Sequence, residues 1–151
     1  MAKFRFRLEP VLRHRRTVEE THQRELAKVL RHRMIVENEL RRMQTTITDS
    51  KQELADGLVG RVDMDRVGEF ARYSGQVRQR AHTIVVKLAT LEKVIDRERG
   101  KLSAATRERK AIELLRDRHH EQWKLEEARR EALEMDELAT QQYARQAMGV
   151  I

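Results

Sequence analysis

The fold is decided by the stretch Ala55-Asp56-Gly57-Leu58-Val59-Gly60-Arg61-Val62-Asp63-Met64-Asp65. It contains two glycines, which tolerate positive φ, and an aspartate at position 63 that suits the N-terminal cap of a helix. Between Pro10 and Asp56 there is no glycine or proline, and downstream proline is absent and glycine sparse. One turn between two arms that are poor in helix breakers predicts a helical hairpin.

The composition favours long helices over a compact layered core. Charged residues make up 38% of the chain and aromatic residues only 4%, so few side chains can bury a large area. Alanine, leucine, glutamate, arginine and glutamine are abundant, and all of them favour helix. We therefore predict an all-α fold, with two long helices in an antiparallel coiled-coil hairpin.

The whole chain is predicted to form one domain with five segments. They are a lead-in at 1–9, a first helix at 10–55, a turn at 56–63, a second and longer helix at 64–146, and a frayed end at 147–151. Pro10 suits the first turn of a helix, where its missing N–H costs nothing. The second helix is left with two alternatives, continuous or broken near Gly68–Gly75, because glycine costs about 1 kcal/mol relative to alanine in a helix.

The first helix carries apolar residues at alternating spacings of three and four, which places them on one face. The two seam positions hold His22, Val29, Val36, Met43 and Ser50, and Leu12, Leu26, Leu40, Ile47 and Leu54. Glu19 and Arg33 interrupt the seam. Arg33 has two interpretations: a polar residue that sets the register or meets a partner, or a stem along the seam with its charge in water.

The second helix has a matching seam that weakens toward its end. Its two positions hold Phe70, Val77, Ile84, Leu91, Glu98, Ala105, Ile112 and His119, and Ala81, Leu88, Ile95, Leu102 and Arg109. Beyond Ile112 the apolar residues no longer keep one heptad phase. Because this arm is the longer one, residues after about 115–120 are expected to lie beyond the first arm, and an uncovered amphipathic helix is typical of a surface that meets a partner.

The lead-in alternates Phe4, Phe6 and Leu8 with basic residues. Such alternation normally indicates a strand, but no second strand is visible to pair with it. We interpret it as an extended segment whose aromatic side chains dock either on the hairpin or on a partner.

Catalytic and cofactor motifs are missing from the sequence. There is no cysteine, no Gly-x-Ser-x-Gly elbow, and the glycines of the turn are not followed by the Lys-Ser/Thr pair of a phosphate-binding loop. His119-His120-Glu121 has ligand-type side chains without the i, i+4 histidine spacing of a helical zinc site. We expect a protein that is not an enzyme and has no metal and no cofactor.

Charge and hydropathy limit the choice of partners. The net charge of +7 invites a nucleic-acid interpretation, but lysine and arginine are interleaved with glutamate along both arms, which is typical of the solvated face of a coiled coil. No nucleic acid is therefore expected. The longest aliphatic run, Ile84-Val85-Val86, is far too short for a membrane span, and the N-terminus lacks the apolar stretch of a signal peptide.

Three segments together resemble the FliJ family of the flagellar type III export apparatus. Residues 4–13 (FRFRLEPVLR) are similar to the family's N-terminal F-x-F-x-L-x-x-L-L pattern, residues 70–77 (FARYSGQV) to its aromatic-x-x-aromatic stretch after the turn, and residues 121–139 to its charged tail ending in Asp-Glu-aliphatic-Ala. Ser74 and Gly75 depart from the usual aromatic stretch. The resemblance covers nearly the whole chain and rests on the joint order of the segments.

The resemblance implies a non-enzymatic coiled-coil stalk, cytoplasmic and peripheral at the inner face of the cell membrane at the flagellar base. It implies three partners: the hexameric export ATPase, the cytoplasmic domain of the export gate, and export chaperones. Carried over by position, the ATPase-facing candidates are Phe4, Phe6, Leu8, Arg13, Arg16, Trp123, Arg130 and Leu138. The candidates for the gate and chaperones are Phe70, Tyr73, Val77, Arg80 and Ile84.

Two alternatives stay open at this point. Val77 and Ile84 fit seam packing as well as a binding surface, whereas Tyr73 lies off the seam. For the chain as a whole, an export stalk that is a monomer when free competes with a basic coiled-coil scaffold that self-associates or binds nucleic acid.

Overall fold

The computed structural model describes residues 3–149. It contains two helices, α1 (Glu9–Gly57) and α2 (Met64–Met148), and within the described range no strand. The predicted all-α class with two long helices is confirmed. The alternation of Phe4, Phe6 and Leu8 belongs to a non-helical segment before α1, and not to a strand.

The turn between the helices follows the local chemistry of its residues. Gly60 has a φ of 110°, a conformation that residues with a Cβ rarely adopt. The carboxylate of Asp63 accepts a hydrogen bond from the backbone N–H of Asp65 at 3.0 Å, which caps the start of α2. The expected helix cap at Asp63 is confirmed.

α2 continues through its glycines without a break. Gly68 and Gly75 both lie inside the helix, so of the two alternatives left open by the sequence the continuous one is present. No atom lies within 4 Å of the position that a Cβ would take at either glycine. These glycines are therefore not required by close packing, and their propensity cost of about 1 kcal/mol each is carried by the rest of the helix.

Contacts divide the chain into two compact units, which are described separately. Unit 1 comprises Met1–Val18 and Ala105–Ile151, and unit 2 comprises Glu19–Ala104. Each unit contains part of α1 and part of α2.

Unit 2 is an antiparallel helical hairpin closed by the turn. Its buried apolar residues come from both arms and all lie at predicted seam positions: Val36, Val77, Ile84 and Ile95. Arg33 is half-buried, and its guanidinium donates a hydrogen bond at 2.8 Å to the carboxylate of Glu92 on the opposite arm. The polar interruption of the seam is thus a cross-helix ion pair, with a second contact to Glu37 at 3.5 Å.

Unit 1 pairs the start of α1 with α2 in the antiparallel direction. Leu12 and Ala105 are buried in it. Arg15 forms an ion pair with Glu108, and Arg16 pairs with Glu113 at 3.1 Å. These contacts place the first turns of α1 against the part of α2 that begins at Ala105.

Candidate functional site

The lead-in before α1 docks on α2 through an aromatic cluster in unit 1. The ring centroid of Phe4 lies 4.9 Å from that of His120, edge-on, and 5.8 Å from that of Trp123. Phe6 meets His119 edge-on at 5.8 Å, while His120 stacks on Trp123 at 5.9 Å. Edge-on and offset contacts at these distances are the favourable geometries for aromatic pairs. We call these five residues the aromatic cluster.

The alternation of the lead-in explains how it docks. Phe4, Phe6 and Leu8 are half-buried, whereas the arginines between them are exposed. The carbonyl of Phe6 accepts a hydrogen bond from the N–H of Glu9 at 3.2 Å, and that of Leu8 accepts one from Leu12 at 2.9 Å. Of the two docking surfaces left open by the sequence, the lead-in therefore contacts the protein's own second helix.

Glu113 joins the two helices of unit 1 through two arginines. One carboxylate oxygen accepts a hydrogen bond from Arg16 of α1 at 3.1 Å, and the other accepts one from Arg109 of α2 at 2.5 Å. The hydrogen bond from Arg16, followed by that from Arg109, lowers the pKa of Glu113 below its usual value of 4.5. The carboxylate is therefore charged at neutral pH, and Arg16 serves at least to hold α1 in place.

Beyond the aromatic cluster, no other helix covers α2 in the described part of unit 1. Every residue from 128 to 148 is exposed, although several of them are large and apolar. Spacings of three and four place one set on a single side of the helix. We call this set the tail stripe, and it consists of Leu125, Ala128, Ala132, Met135, Ala139 and Tyr143.

The structure brings together some of the ATPase-facing candidates and separates others. Phe4, Phe6 and Trp123 meet in the aromatic cluster. Arg130 lies on the exposed helix and contacts Glu127 at 3.4 Å. Leu138 is exposed as well, and it lies three residues after Met135, at the edge of the tail stripe.

Two further candidates of this group lie on either side of the start of α1. Leu8 is the half-buried lead-in residue directly before the helix. Arg13 is exposed and lines an open cleft with residues of the lead-in.

Next to the turn, unit 2 has a groove of about 270 Å³ between its two arms. Phe70 and Tyr73 line it from α2, and Leu54 and Leu58 line it from the other side. Arg66, Asp63, Glu53 and Glu69 also line the groove and add charge to it. A groove that combines aromatic, aliphatic and charged side chains is typical of a site that binds a protein segment.

The other candidates for gate and chaperone binding lie outside this groove. Val77 and Ile84 are buried in the core of unit 2, so seam packing is the role that the structure gives them. Arg80 is exposed and lines a shallow depression with Gln76, Gln79 and Thr83.

The sequence alone did not predict two features of unit 1, the docking of the lead-in on the histidines and the tail stripe. The sequence placed His119 in the seam and His119-His120 was weighed as a metal site, but the contact of both histidines with the lead-in was not predicted. Among residues 3–149, no three histidine, cysteine or acidic side chains gather in a way that could hold a metal ion. The tail stripe was missed because its phase differs from that of the upstream seam, and a search for a new phase after Trp123 would have found it.

Neither helix, over the residues described, has a stretch that is long and apolar enough to cross a membrane.

Two long helices that pair through a narrow seam and leave apolar side chains exposed in each unit define the class of α-helical coiled-coil proteins. The family model described as "Flagellar FliJ protein" matches residues 4–148, and the chain belongs to the FliJ family. No match was found among the curated proteins or among the solved structures.

Membership assigns the chain to flagellar protein export. FliJ proteins are components of the export apparatus rather than enzymes, so the chain is a flagellar export protein.

Proposed function

We propose that the protein is a coiled-coil component that binds the hexameric export ATPase through unit 1. Through unit 2 it binds the cytoplasmic domain of the export gate and export chaperones. In this proposal it is a monomer when free, and it works in the cytoplasm at the inner face of the membrane, at the flagellar base.

One observation carries the ATPase part of the proposal. In unit 1 the lead-in is docked beside Trp123, and directly afterwards α2 presents an exposed apolar stripe. A helix that exposes Leu125, Met135 and Tyr143 to water gains free energy when a partner covers this side. The aromatic cluster and the tail stripe follow each other along α2 on different sides of the helix, so a partner that surrounds this end of α2 would contact both.

The gate and chaperone part is supported by the groove beside the turn. Tyr73 is 41% exposed and lies at its edge, while Phe70 is half-buried in its wall. Aromatic side chains at the edge of a groove are common anchors in protein interfaces. We assign Phe70, Tyr73 and Arg80 to this surface and leave Val77 and Ile84 to the core.

The test of the ATPase proposal compares two matched substitutions in the exposed helix. Met135→Glu places a charge in the tail stripe, whereas Leu133→Glu places the same charge on another side of the helix; the two residues are 67% and 68% exposed. Burying a methionine is worth about 1.5–3 kcal/mol, so Met135→Glu should weaken binding to the purified export ATPase by about tenfold or more. Leu133→Glu should change it by less than about twofold.

Binding is measured by sedimentation and by stimulation of ATP hydrolysis. The proposal fails if the wild-type protein neither binds nor stimulates the ATPase, or if both substitutions weaken binding equally.

For the gate, Tyr73→Ala should weaken binding to the isolated gate domain while leaving ATPase binding unchanged. The opposite pattern would assign this groove to the ATPase.

A further inference from the structure

Unit 1 contains a basic cleft that the proposed function does not explain. It is an open cleft with a volume of about 890 Å³. Its walls carry four arginines, Arg5 and Arg7 from the lead-in, Arg13 from α1 and Arg116 from α2. We call it the arginine cleft.

Most of these arginines have no ion pair within the described part of the chain. None of Arg5, Arg7 and Arg13 lies within ion-pair distance of a carboxylate among residues 3–149, and Arg116 contacts only its neighbour Asp117, at 3.8 Å. Arg15 and Arg16, by contrast, pair with glutamates of α2. The arginines that face α2 are thus used in folding, while those that line the cleft keep their guanidinium groups available.

Aromatic side chains also line the arginine cleft. Phe4 and Phe6 lie there together with His120, and both phenylalanine rings make contacts within the aromatic cluster. A ligand in the cleft would meet arginines next to aromatic rings that these contacts hold in place. This arrangement suits a chain that has acidic side chains on both sides of an apolar one.

Two carboxylates favour a protein ligand over a nucleic acid. Glu9 and Asp117 also line the cleft, and they would repel the continuous negative charge of a phosphate backbone. Guanidinium groups at separate points match separate carboxylates, which they bind in a planar, two-pronged geometry.

We propose that the arginine cleft binds an acidic peptide segment of a partner protein. Carboxylates of this segment pair with Arg5, Arg7, Arg13 and Arg116, and an apolar side chain rests on Phe4 and Phe6. The inference deepens the proposed function and rests on it, because Phe4, Phe6 and Arg13 are ATPase-facing candidates. It specifies the kind of partner segment that unit 1 recognises, an acidic peptide with an apolar side chain.

The test uses the full-length protein and a short synthetic peptide in which glutamates flank one leucine, with both ends blocked. Binding is followed by fluorescence anisotropy of the labelled peptide and by the emission of Trp123, the only tryptophan of the chain. The same peptide with glutamine in place of glutamate reports the contribution of charge, and a single-stranded deoxythymidylate oligomer reports nucleic-acid binding.

The matched variants remove two positive charges each from unit 1. The double substitution Arg5→Gln/Arg7→Gln alters the cleft, whereas Arg118→Gln/Arg129→Gln alters exposed arginines of α2 that do not line it. The cleft variant should bind the acidic peptide about tenfold more weakly, the control variant within about twofold of wild type, and the glutamine peptide weakly or not at all. Circular dichroism melting of both variants checks that the fold is retained.

Four results would overturn the inference: no binding of the acidic peptide, equal binding of the glutamine peptide, equal weakening by the two double variants, or tighter binding of the oligomer through the same cleft. Failure of this inference can be told apart from failure of the proposed function by comparing the Met135→Glu variant with the cleft variant. If Met135→Glu weakens ATPase binding but the cleft variant affects neither the ATPase nor the peptide, only the inference fails. If the cleft binds the peptide and no variant affects the ATPase, the proposed function fails instead.

Discussion

Replacing Phe4 by alanine removes the side chain that makes two of the ring contacts holding the lead-in on α2. The lost contacts are those to His120 at 4.9 Å and to Trp123 at 5.8 Å. Aromatic pairs of this kind contribute about 0.5–1.5 kcal/mol each beyond the area that they bury, so Phe4→Ala should weaken docking by about 1–3 kcal/mol. That corresponds to a fall of about five- to 150-fold in the docking equilibrium.

This loss is large compared with the net free energy of docking. Ordering each residue of the lead-in costs about 1–2 kcal/mol of conformational entropy, so the docked state of such a short segment is finely balanced. We therefore expect the lead-in of the Phe4→Ala protein to be released, while α1 and α2 stay folded. The free energy of global unfolding should change by no more than about 1–2 kcal/mol.

Two measurements report the release. Emission from Trp123 should shift to longer wavelength and become more sensitive to acrylamide, because the tryptophan loses its cover. Amide exchange at Glu9, whose N–H donates to the carbonyl of Phe6, should become faster. The control is Tyr143→Ala, which removes an aromatic ring that is 76% exposed and has no ring contact among the described residues. The account of the lead-in is refuted if Phe4→Ala leaves both signals at their wild-type values.

Three further predictions concern stability and its dependence on pH. Ile95→Ala, at a fully buried position of unit 2, should lower the free energy of unfolding by about 2–4 kcal/mol in urea titrations, whereas Ile35→Ala, at a position that is 60% exposed, should lower it by less than about 0.5 kcal/mol. Glu113→Gln should lower the free energy of unfolding by about 1 kcal/mol at pH 7, because Arg16 and Arg109 lose the carboxylate charge that they contact, and thermal melting should show this difference. Gly100→Ala should stabilise α2 by about 0.5–1 kcal/mol, since nothing lies near the added Cβ, whereas Gly60→Ala should cost about 1 kcal/mol because of its φ of 110°.

The pH dependence of Glu113 has a definite sign. Its pKa is lowered in the folded protein. The stability that the charged carboxylate contributes to the free energy of unfolding is therefore fully present above the usual pKa of 4.5, and it is lost as the pH falls through the lowered pKa of the folded state. The gap between wild type and Glu113→Gln should therefore close below pH 4.5. A gap that stays constant from pH 7 to acid would contradict the role of the carboxylate charge, and equal effects of the two glycine substitutions would contradict the backbone argument.

The seam of the fold was predictable because it depends on local spacing. Val36, Val77, Ile84 and Ile95 lie at heptad positions that the sequence alone identifies, and all of them are buried. Asp63 was equally predictable as a cap, because an aspartate directly before a helical segment satisfies free N–H groups there. Such features need only neighbours within a few turns of helix.

The surface that we assign to partners was less predictable, because it depends on contacts between distant parts of the chain. The alternation of Phe4 and Phe6 indicated that one side is apolar, but the surface they dock on lies at His119–Trp123, far away in sequence. Arg5 and Arg7 had the pattern of an ordinary solvated face, and only docking places them in one cleft with Arg116. Spacing in a sequence determines which residues share a face of one helix, and not which distant segment that face will meet.

The most direct test of the central claim is amide exchange of the full-length protein, measured with and without the export ATPase. Our account predicts that binding slows exchange in two segments of unit 1, the lead-in and the part of α2 that carries the tail stripe, Leu125–Tyr143. Exchange at Phe70–Arg80 of unit 2 should stay unchanged. Protection of Phe70–Arg80 with none in unit 1 would contradict the claim.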